Sequence, residues 1–440
     1  MKIIPSILIM LFAFAFFAAA QEKQTVLEQR AAEVVGIINQ PKDLDKVFAP
    51  GFLQAVPPEK FAEISKSLTD NYGKAVGVKK ITPKSEFAGQ IQILFEKDTV
   101  ASMTLSLEPS PPHLINGLLI TGVEETSETL EEIVAELKKL PGQTGFAAAK
   151  LSVRDFDTII AHNPDQAFAI GSTFKFYVLA ELVRSVTAGE RKWSDVIELK
   201  ERSLPSGQMQ NWPTGAPVTL HTLASLMISI SDNTATDQLI ETLGREKIEK
   251  MLTAAGNDYA EMNRPFLKTI EMFKIKAAVK QNYAQIFISK DEKGRRSMVE
   301  NEIAAFNKEE IDLANFLKEP TYISEIEWFA SPSDLIRLMK WLRDNSEKGE
   351  AEKARGVMTI NKALPEATAK NWNYVGYKGG SEPGVISMTY LLETPKGEWF
   401  VVTGSWNDEK SPVAEAQFVG LMQKAVKILW EKHTIKRTSL

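Results

Sequence analysis

The chain contains no cysteine. That removes disulfides, thiol catalysis and cysteine-ligated zinc together, and leaves no thiol for lipid attachment. Histidine is scarce as well. The four that exist, His113, His162, His221 and His433, are far apart, and none forms a His-x-His or His-x-x-x-His pair. A histidine-built metal centre is therefore not expected, and neither a metal nor another cofactor is called for by any motif. No serine sits in Gly-x-Ser-x-Gly, so a strand-to-helix nucleophile elbow is absent. There is no excess of positive charge: a net charge of −5 gives no general reason to expect a nucleic-acid partner. Beyond the first twenty residues no apolar run is long enough to span a membrane, and no internal repeat or low-complexity tract interrupts the chain.

What is present begins with an N-terminal secretory pattern. Lys2 precedes an almost wholly apolar stretch, residues 3–17, and Ala18-Ala19-Ala20 offers a small-x-small cleavage site before Gln21. Residues 1–20 are thus expected to be a signal peptide, with an uncleaved membrane anchor as the plain alternative, and the mature protein to be exported across the inner membrane into a bacterial periplasm. At 440 residues the chain exceeds one ordinary core, so two domains are expected. Residues 22–40 carry helical apolar spacing, and Pro57-Pro58 opens a second helix reaching Tyr72. Strand-like segments follow at 75–82, 87–95, 100–107 and 114–123. The Pro-rich stretch from Glu108 to Pro112 is read as a loop inside this region, because residues 114–121 still need a sheet partner. Helices followed by a meander indicate a small α+β domain over 21–124, ending at the acidic stretch 124–128. Its order resembles the NTF2-like cone, a resemblance of topology that carries no motif.

From residue 129 the pattern changes. An amphipathic helix stops at Pro141-Gly142, and two strands are expected within 145–161. Residues 172–186 read as a helix that is apolar nearly all round, which belongs in the middle of a core. Helices continue through 219–254. Strands return at 384–393 and 398–405, and a last helix occupies 413–431. Strands at both ends around a helical middle fit one sheet with a helical lobe beside it.

Three short strings carry chemistry. Ser172-Thr173-Phe174-Lys175 is the one Ser-x-x-Lys in the chain. On a helix, positions i and i+3 share a face, so the amine lies beside the hydroxyl. Burial disfavours an ammonium, which lets such a lysine accept the serine proton. The plain alternative is a helix-capping serine and a lysine that reaches to solvent. Ser231-Asp232-Asn233 ends one helix and opens the next, and taken alone reads as a cap. Lys378-Gly379-Gly380 lies in a strand-like context, with Ser381 and Glu382 after it, and two glycines allow a strand edge to approach a substrate closely.

In this order the three strings resemble the signature set of serine β-lactamases and penicillin-binding proteins. Met227 to Ala235, and Ser331-Pro332-Ser333-Asp334-Leu335, look like class A β-lactamases, and the resemblance covers about residues 126–435. It implies an antiparallel sheet flanked by helices plus an all-helical lobe, over 125–435. It also implies acyl transfer to a small-molecule substrate, a β-lactam or an ester, without cofactor or metal. Ser172 would be the nucleophile and Lys175 its base. Ser231 would pass a proton to the leaving group, and Asn233 would bind the substrate's side-chain amide. Lys378 would hold a substrate carboxylate and help keep Lys175 neutral. Gly380 and Ser381 would line the substrate, the N–H groups of Ser172 and Ser381 forming the oxyanion hole. An esterase or D-Ala peptidase on the same site, or a β-lactam binder that stays acylated, remain open.

Two departures qualify the resemblance. Gly379 replaces the hydroxyl residue of Lys-Thr-Gly. The loop expected to carry a deacylating glutamate, residues 263–269, contains no acid. Glu261 and Glu271 flank it, and Glu271, in the first turn of the next helix, is the better candidate base; without one, fast acylation and slow turnover are expected. Residues 272–326 are read as a charged helical insertion, its role as lid, dimer contact or purely structural element left open. Its run from Asp291 to Arg296 is read as a solvated turn. His162, beside Asn163-Pro164, is read as a turn histidine rather than a partner of Ser172.

Overall fold

The computed structural model describes residues 25–96, 99–124, 129–278, 282–307 and 310–434. The expected signal peptide and residues 125–128 of the acidic stretch lie outside the described residues. The chain forms two compact units. One runs up to Ile93 and includes Thr104–Leu119; the other comprises Leu94–Met103 and the chain from Ile120 on.

In the first unit, helix α1 (Val26–Asn39) starts at a capping box in which Thr25 and Glu28 satisfy each other's backbone N–H. Leu27, Ala31, Val34 and Ile38 recur every three or four residues and are buried. Helix α2 (Pro58–Tyr72) begins with proline at its first position. Strands β1 (Ala75–Ser85), β2 (Ala88–Phe95), β3 (Val100–Leu107) and β4 (Ile115–Glu124) lie side by side in chain order. Ile91, Ile93 and Phe95 alternate inward along β2. The Pro-rich stretch is a loop between β3 and β4, held by Arg30, whose guanidinium donates to the Pro112 and His113 carbonyls at 2.6 and 3.0 Å.

The second unit takes in the end of β2, the start of β3 and the end of β4, and continues with helix α3 (Leu130–Leu137) and strands β5 (Gln143–Leu151) and β6 (Phe156–His162). A helical lobe follows: α4 (Lys175–Thr187), α5 (Leu220–Ser229), α6 (Asn233–Leu243), α7 (Arg245–Ala254), α8 (Thr269–Lys276) and α9 (Pro332–Asn345). Strands β7 (Tyr374–Glu382), β8 (Val385–Glu393) and β9 (Trp399–Asn407) lead to the last helix, α10 (Glu415–Thr434). The sheet order is β7-β8-β9-β5-β6, antiparallel throughout, so the two ends of this half meet in one sheet. Side chains alternate between two cores. Phe146 and Ala148 join Phe400 and Val402 on the face packed by α3 and α10, whereas Ala147, Ala149 and Val401 face the helical lobe. None of the helices among the described residues is long and apolar enough to cross a membrane.

Helix α4 is buried on nearly every side, Lys175 included, as its all-round apolar sequence requires. The insertion is helical but not simply solvated. Met272, Phe273, Phe287, Met298, Ile303 and Phe316 enter the main core. The run from Asp291 to Arg296, expected as a turn, instead starts a helix (Glu292–Met298). Asp291 caps it by accepting from the Gly294 N–H at 2.8 Å, and Arg296 pairs with Glu292 and with Glu249 of α7. The charges that suggested solvent are a cap and its ion pairs.

Candidate active site

Ser172 lies in a single 3-10 turn, Gly171–Phe174, that leads directly into α4. Its neighbours Gly171, Thr173 and Phe174 are buried, while Ser172 itself is half-buried. Among the described residues no hydrogen bond engages its hydroxyl. Two cavities open on it, one of about 410 Å³ and one of about 220 Å³.

Lys175 is wholly buried. Its Nζ reaches the Ser231 carbonyl at 2.7 Å, the Ser231 hydroxyl at 3.0 Å and Asn233 Oδ1 at 2.7 Å. The carbonyl and amide oxygens only accept, so they take the two protons of a neutral amine, whose lone pair is then available to a hydroxyl. Burial above all, and then the positive charge of Lys378, hold Lys175 well below the usual lysine range; Asp237 and Asp232 oppose this more weakly. A buried lysine hydrogen-bonded to Ser231, three residues along the chain from Ser172 and this reluctant to hold a proton, is suited to accept one.

The Ser-Asp-Asn string is a cap and a site residue set at once. Asp232 is the N-cap of α6, accepting from the Ala235 N–H at 2.9 Å. Its other oxygen accepts from the N–H groups of Gln208 and Met209, fixing the preceding loop. Ser206 of that loop donates to the Ser231 carbonyl at 2.7 Å. Ser231 is held with φ of 58°, a left-handed conformation that a serine adopts only when its surroundings impose it. The Asp232 scaffold therefore aims Ser231 and Asn233 at Lys175.

Strand β7 supplies the opposite wall. A Cβ on Gly380 would lie 2.1 Å from the Ser172 nitrogen and 2.5 Å from the Ile170 carbonyl, so only glycine allows this approach. Gly171, at φ of 46°, faces Ser381 across the same contact. The backbone of Ser381 is thereby brought against that of Ser172. Lys378 is buried on the same strand face and donates to the Gly379 carbonyl; burial pushes its pKa down to about 7. The larger cavity is lined by Ser172, Ser231, Lys378, Gly380 and Ser381. His162 instead meets Thr144 Oγ1 with its Nε2 at 3.2 Å, on β6.

The family model for the β-lactamase enzyme family matches residues 126–430. The chain belongs to that family. It is a serine hydrolase of the β-lactamase type. Among solved structures it is similar to a β-lactamase from Sphaerobacter thermophilus, at 21% identity over 67% of this chain and 94% of that one, with a TM-score of 0.46. It is also similar to a β-lactamase from Chitinophaga pinensis (16%, 70% and 99%, TM-score 0.47). A reconstructed ancestral class A β-lactamase stands at 18% over 69% of this chain and all of its own, with a TM-score of 0.48. No curated protein matches in sequence.

The two departures from the β-lactamase pattern have structural answers. A Cβ on Gly379 would lie 2.2 Å from the Tyr377 hydroxyl. The phenol occupies the space that a threonine at 379 would need, and it lines the larger cavity. Tyr377 thus places a hydroxyl close to where the missing one would begin, which a residue-by-residue comparison of motifs has no means of seeing.

Glu271 is not placed as a deacylating base. Arg245 donates to both its carboxylate oxygens, at 2.7 and 3.0 Å, and the Lys268 N–H donates at 2.7 Å. It caps its own helix and ties α8 to α7, and neither cavity on Ser172 includes it. Its position in the first turn of α8 is as the sequence indicated, but Arg245, distant in sequence, captures the side chain. Asp237, pushed up to about 6 by burial, likewise serves α8: it accepts from the Thr269 N–H and hydroxyl and the Ile270 N–H. The carboxylates that do line the smaller cavity with Ser172 are Glu327 and Glu382, which the motif reading passed over. A glutamate directly after Lys-Gly-Gly-Ser was the available signal.

Proposed function

We propose that this protein is an exported β-lactam hydrolase working through an ester on Ser172. The observation that carries the reading is Lys175, buried within α4, kept from its proton by burial and Lys378, and hydrogen-bonded to Ser231 and Asn233, each of which lines a cavity with Ser172. Lys175 takes the Ser172 proton as Oγ attacks the β-lactam carbonyl. Negative charge on the carbonyl oxygen is met by the N–H groups of Ser172 and Ser381. As the C–N bond breaks, Ser231 gives its proton to the departing nitrogen and is reprotonated from Lys175. Lys378 and Tyr377 face the substrate carboxylate, and the Asn233 amide faces the side-chain amide. Water then releases the acid and restores Ser172.

Export rests on Lys2, the apolar stretch 3–17 and the small residues before Gln21. The first two helices and the four-stranded meander after them support an NTF2-like domain over 21–124 ahead of a hydrolase domain over 125–435. Intact-protein mass spectrometry after mixing with a penicillin tests the central claim. The expected result is a covalent adduct of one penicillin on wild type and none on Ser172→Ala. An adduct that survives in Ser172→Ala, or none on either protein, sinks it. An adduct that persists for hours would favour a binder that stays acylated. Turnover of D-alanyl peptides or simple esters in preference to β-lactams would move the substrate class.

A further inference from the structure

The smaller cavity on Ser172 is walled by Thr269, Met272, Phe273, Phe316, Leu317 and Trp328 and carries two glutamates, Glu327 and Glu382. Both are buried in an ion cluster around Lys276, the last residue of α8. Its Nζ lies 2.5 Å from Glu382 Oε1 and 3.2 Å from Glu327 Oε1, with no exposure of the lysine or Glu327 side chains and 9% of Glu382. Burying three ionisable groups is unfavourable unless their charges and hydrogen bonds compensate, and apolar packing holds such segments together as well.

Glu382 follows Gly380 by two residues on β7, so the two share a strand face with Lys378. That is the face whose Gly380 meets the Ser172 backbone. Glu382 lines a cavity with Ser172 and Ser381, distinct from the one lined by Ser231 and Lys378. Glu271, by contrast, is occupied by Arg245.

We propose that Glu382, paired with Glu327 and held by Lys276, is the base that activates the water attacking the Ser172 ester. The inference rests on the acyl-enzyme reading above. Glu382 removes a proton from water as the oxygen bonds to the ester carbonyl carbon. The tetrahedral intermediate then collapses with cleavage of the C–Oγ bond, and the same proton goes to Ser172 Oγ. The products are the free acid and the free serine, with Glu382 ionised as at the start. Glu327 is the positioning residue: both glutamates accept from the Lys276 ammonium, which offsets the charge of the pair.

The groups that face Glu382 are Glu327 from the segment before Trp328, Lys276 from α8, and Lys378 farther along its own strand face. Burial first, and then the Glu327 charge, raise Glu382 well above the usual carboxylate range, with Lys276 opposing. A base must be ionised, so deacylation slows as pH falls through that raised value.

The test is stopped-flow kinetics on a chromogenic cephalosporin with the full chain, together with time-resolved mass spectrometry of the adduct. In wild type the adduct forms and decays, and its decay rate falls with decreasing pH along a limb above the ordinary carboxylate range. In Glu382→Gln the adduct still forms in one-to-one yield, which shows a folded site, but decays roughly a hundredfold or more slowly, the usual scale for loss of a general base. Glu327→Gln leaves the adduct yield intact and moves the pH limb down, since the neighbouring charge that raises Glu382 is gone. Decay in Glu382→Gln at the wild-type rate, or a wild-type decay rate flat across this pH range, overturns the assignment while leaving the Ser172 reading intact. A wild type that forms no adduct overturns both.

Discussion

The two cavities that meet at Ser172 are built in different ways. The larger takes its polar wall chiefly from the three short strings, Ser172, Ser231 and Lys378 to Ser381, with Tyr377, Asn361 and Glu415 beside them. The smaller is assembled from α8, Phe316 and Leu317 of the insertion, and Glu327 and Glu382, residues separated by more than a hundred positions. Lys378 lines the first, and burial discourages it, like Lys175, from carrying charge; Glu327 and Glu382 line the second and pair with Lys276, which keeps its charge. One side of the serine is suited to forming an ester and the other to cleaving it. A single nucleophile can thus have a familiar acylation half and an individual deacylation half.

The sharpest way to break this division is to remove the nucleophile. Ser172→Ala should abolish labelling by a fluorescent penicillin, read on a gel, and Lys175→Ala should slow labelling by about a hundredfold or more. Labelling of Ser172→Ala at any appreciable rate would place the chemistry elsewhere.

Gly380→Ala comes next. Its new Cβ meets the Ser172 backbone, not a flexible side chain, so the strand or the serine turn must shift. Displacements of that size cost about a hundredfold in rate. Acylation measured by stopped flow should fall accordingly, while circular dichroism stays native; an unchanged rate would show that the strand has room to move.

Lys378→Met sharpens the electrostatic side. The Lys378 charge lowers Lys175, so its removal raises the Lys175 pKa. Acylation needs Lys175 neutral, and its acidic limb should therefore move to higher pH. In the wild type the charged form of Lys378 is lost as pH rises through about 7, which should weaken binding of substrates with a carboxylate. A pH profile of kcat/KM on substrates with and without that carboxylate separates the two effects, and an acidic limb that stays in place contradicts the coupling.

Glu271→Gln should be a stability variant. It weakens a largely buried pair with Arg245, and loss of such a pair costs about 3 kcal/mol. The urea midpoint should drop while the decay rate of the acyl-enzyme does not change. A selective loss of decay would return Glu271 to the site. The smallest effect is expected for Tyr377→Phe: loss of one hydrogen bond of about 1 kcal/mol should raise KM several-fold for carboxylate-bearing substrates alone. Equal changes for substrates lacking the carboxylate would remove the phenol from recognition.

Much of the architecture is legible in the chain. The apolar girth of residues 172–186 announces a central helix, and the strands at both ends of the second half close into one sheet because hydrophobic alternation requires burial on two faces. The meander after α2 is equally plain, since turn and proline residues bound each strand. The insertion was harder to read: a run such as Asp291 to Arg296 has the composition of a solvated turn, and only Glu249 across the lobe turns its Arg296 into part of a packed helix.

The sequence by itself determined the nucleophile's surroundings that are reached within one helical turn or one strand pair. Ser172 and Lys175 share a helix face, Asp232 caps α6 whatever lies around it, and the glycines after Lys378 admit close approach. Tertiary structure decided which carboxylate lines a cavity with Ser172. Glu271 and Glu382 are both glutamates beside a motif or loop of the right kind, and no local property separates them. Arg245 draws one away, and the strand face shared with Gly380 turns the other toward the serine. Local geometry follows from bond angles and repeat distances, whereas the partner of a charge depends on which distant residues the fold brings within a few ångströms.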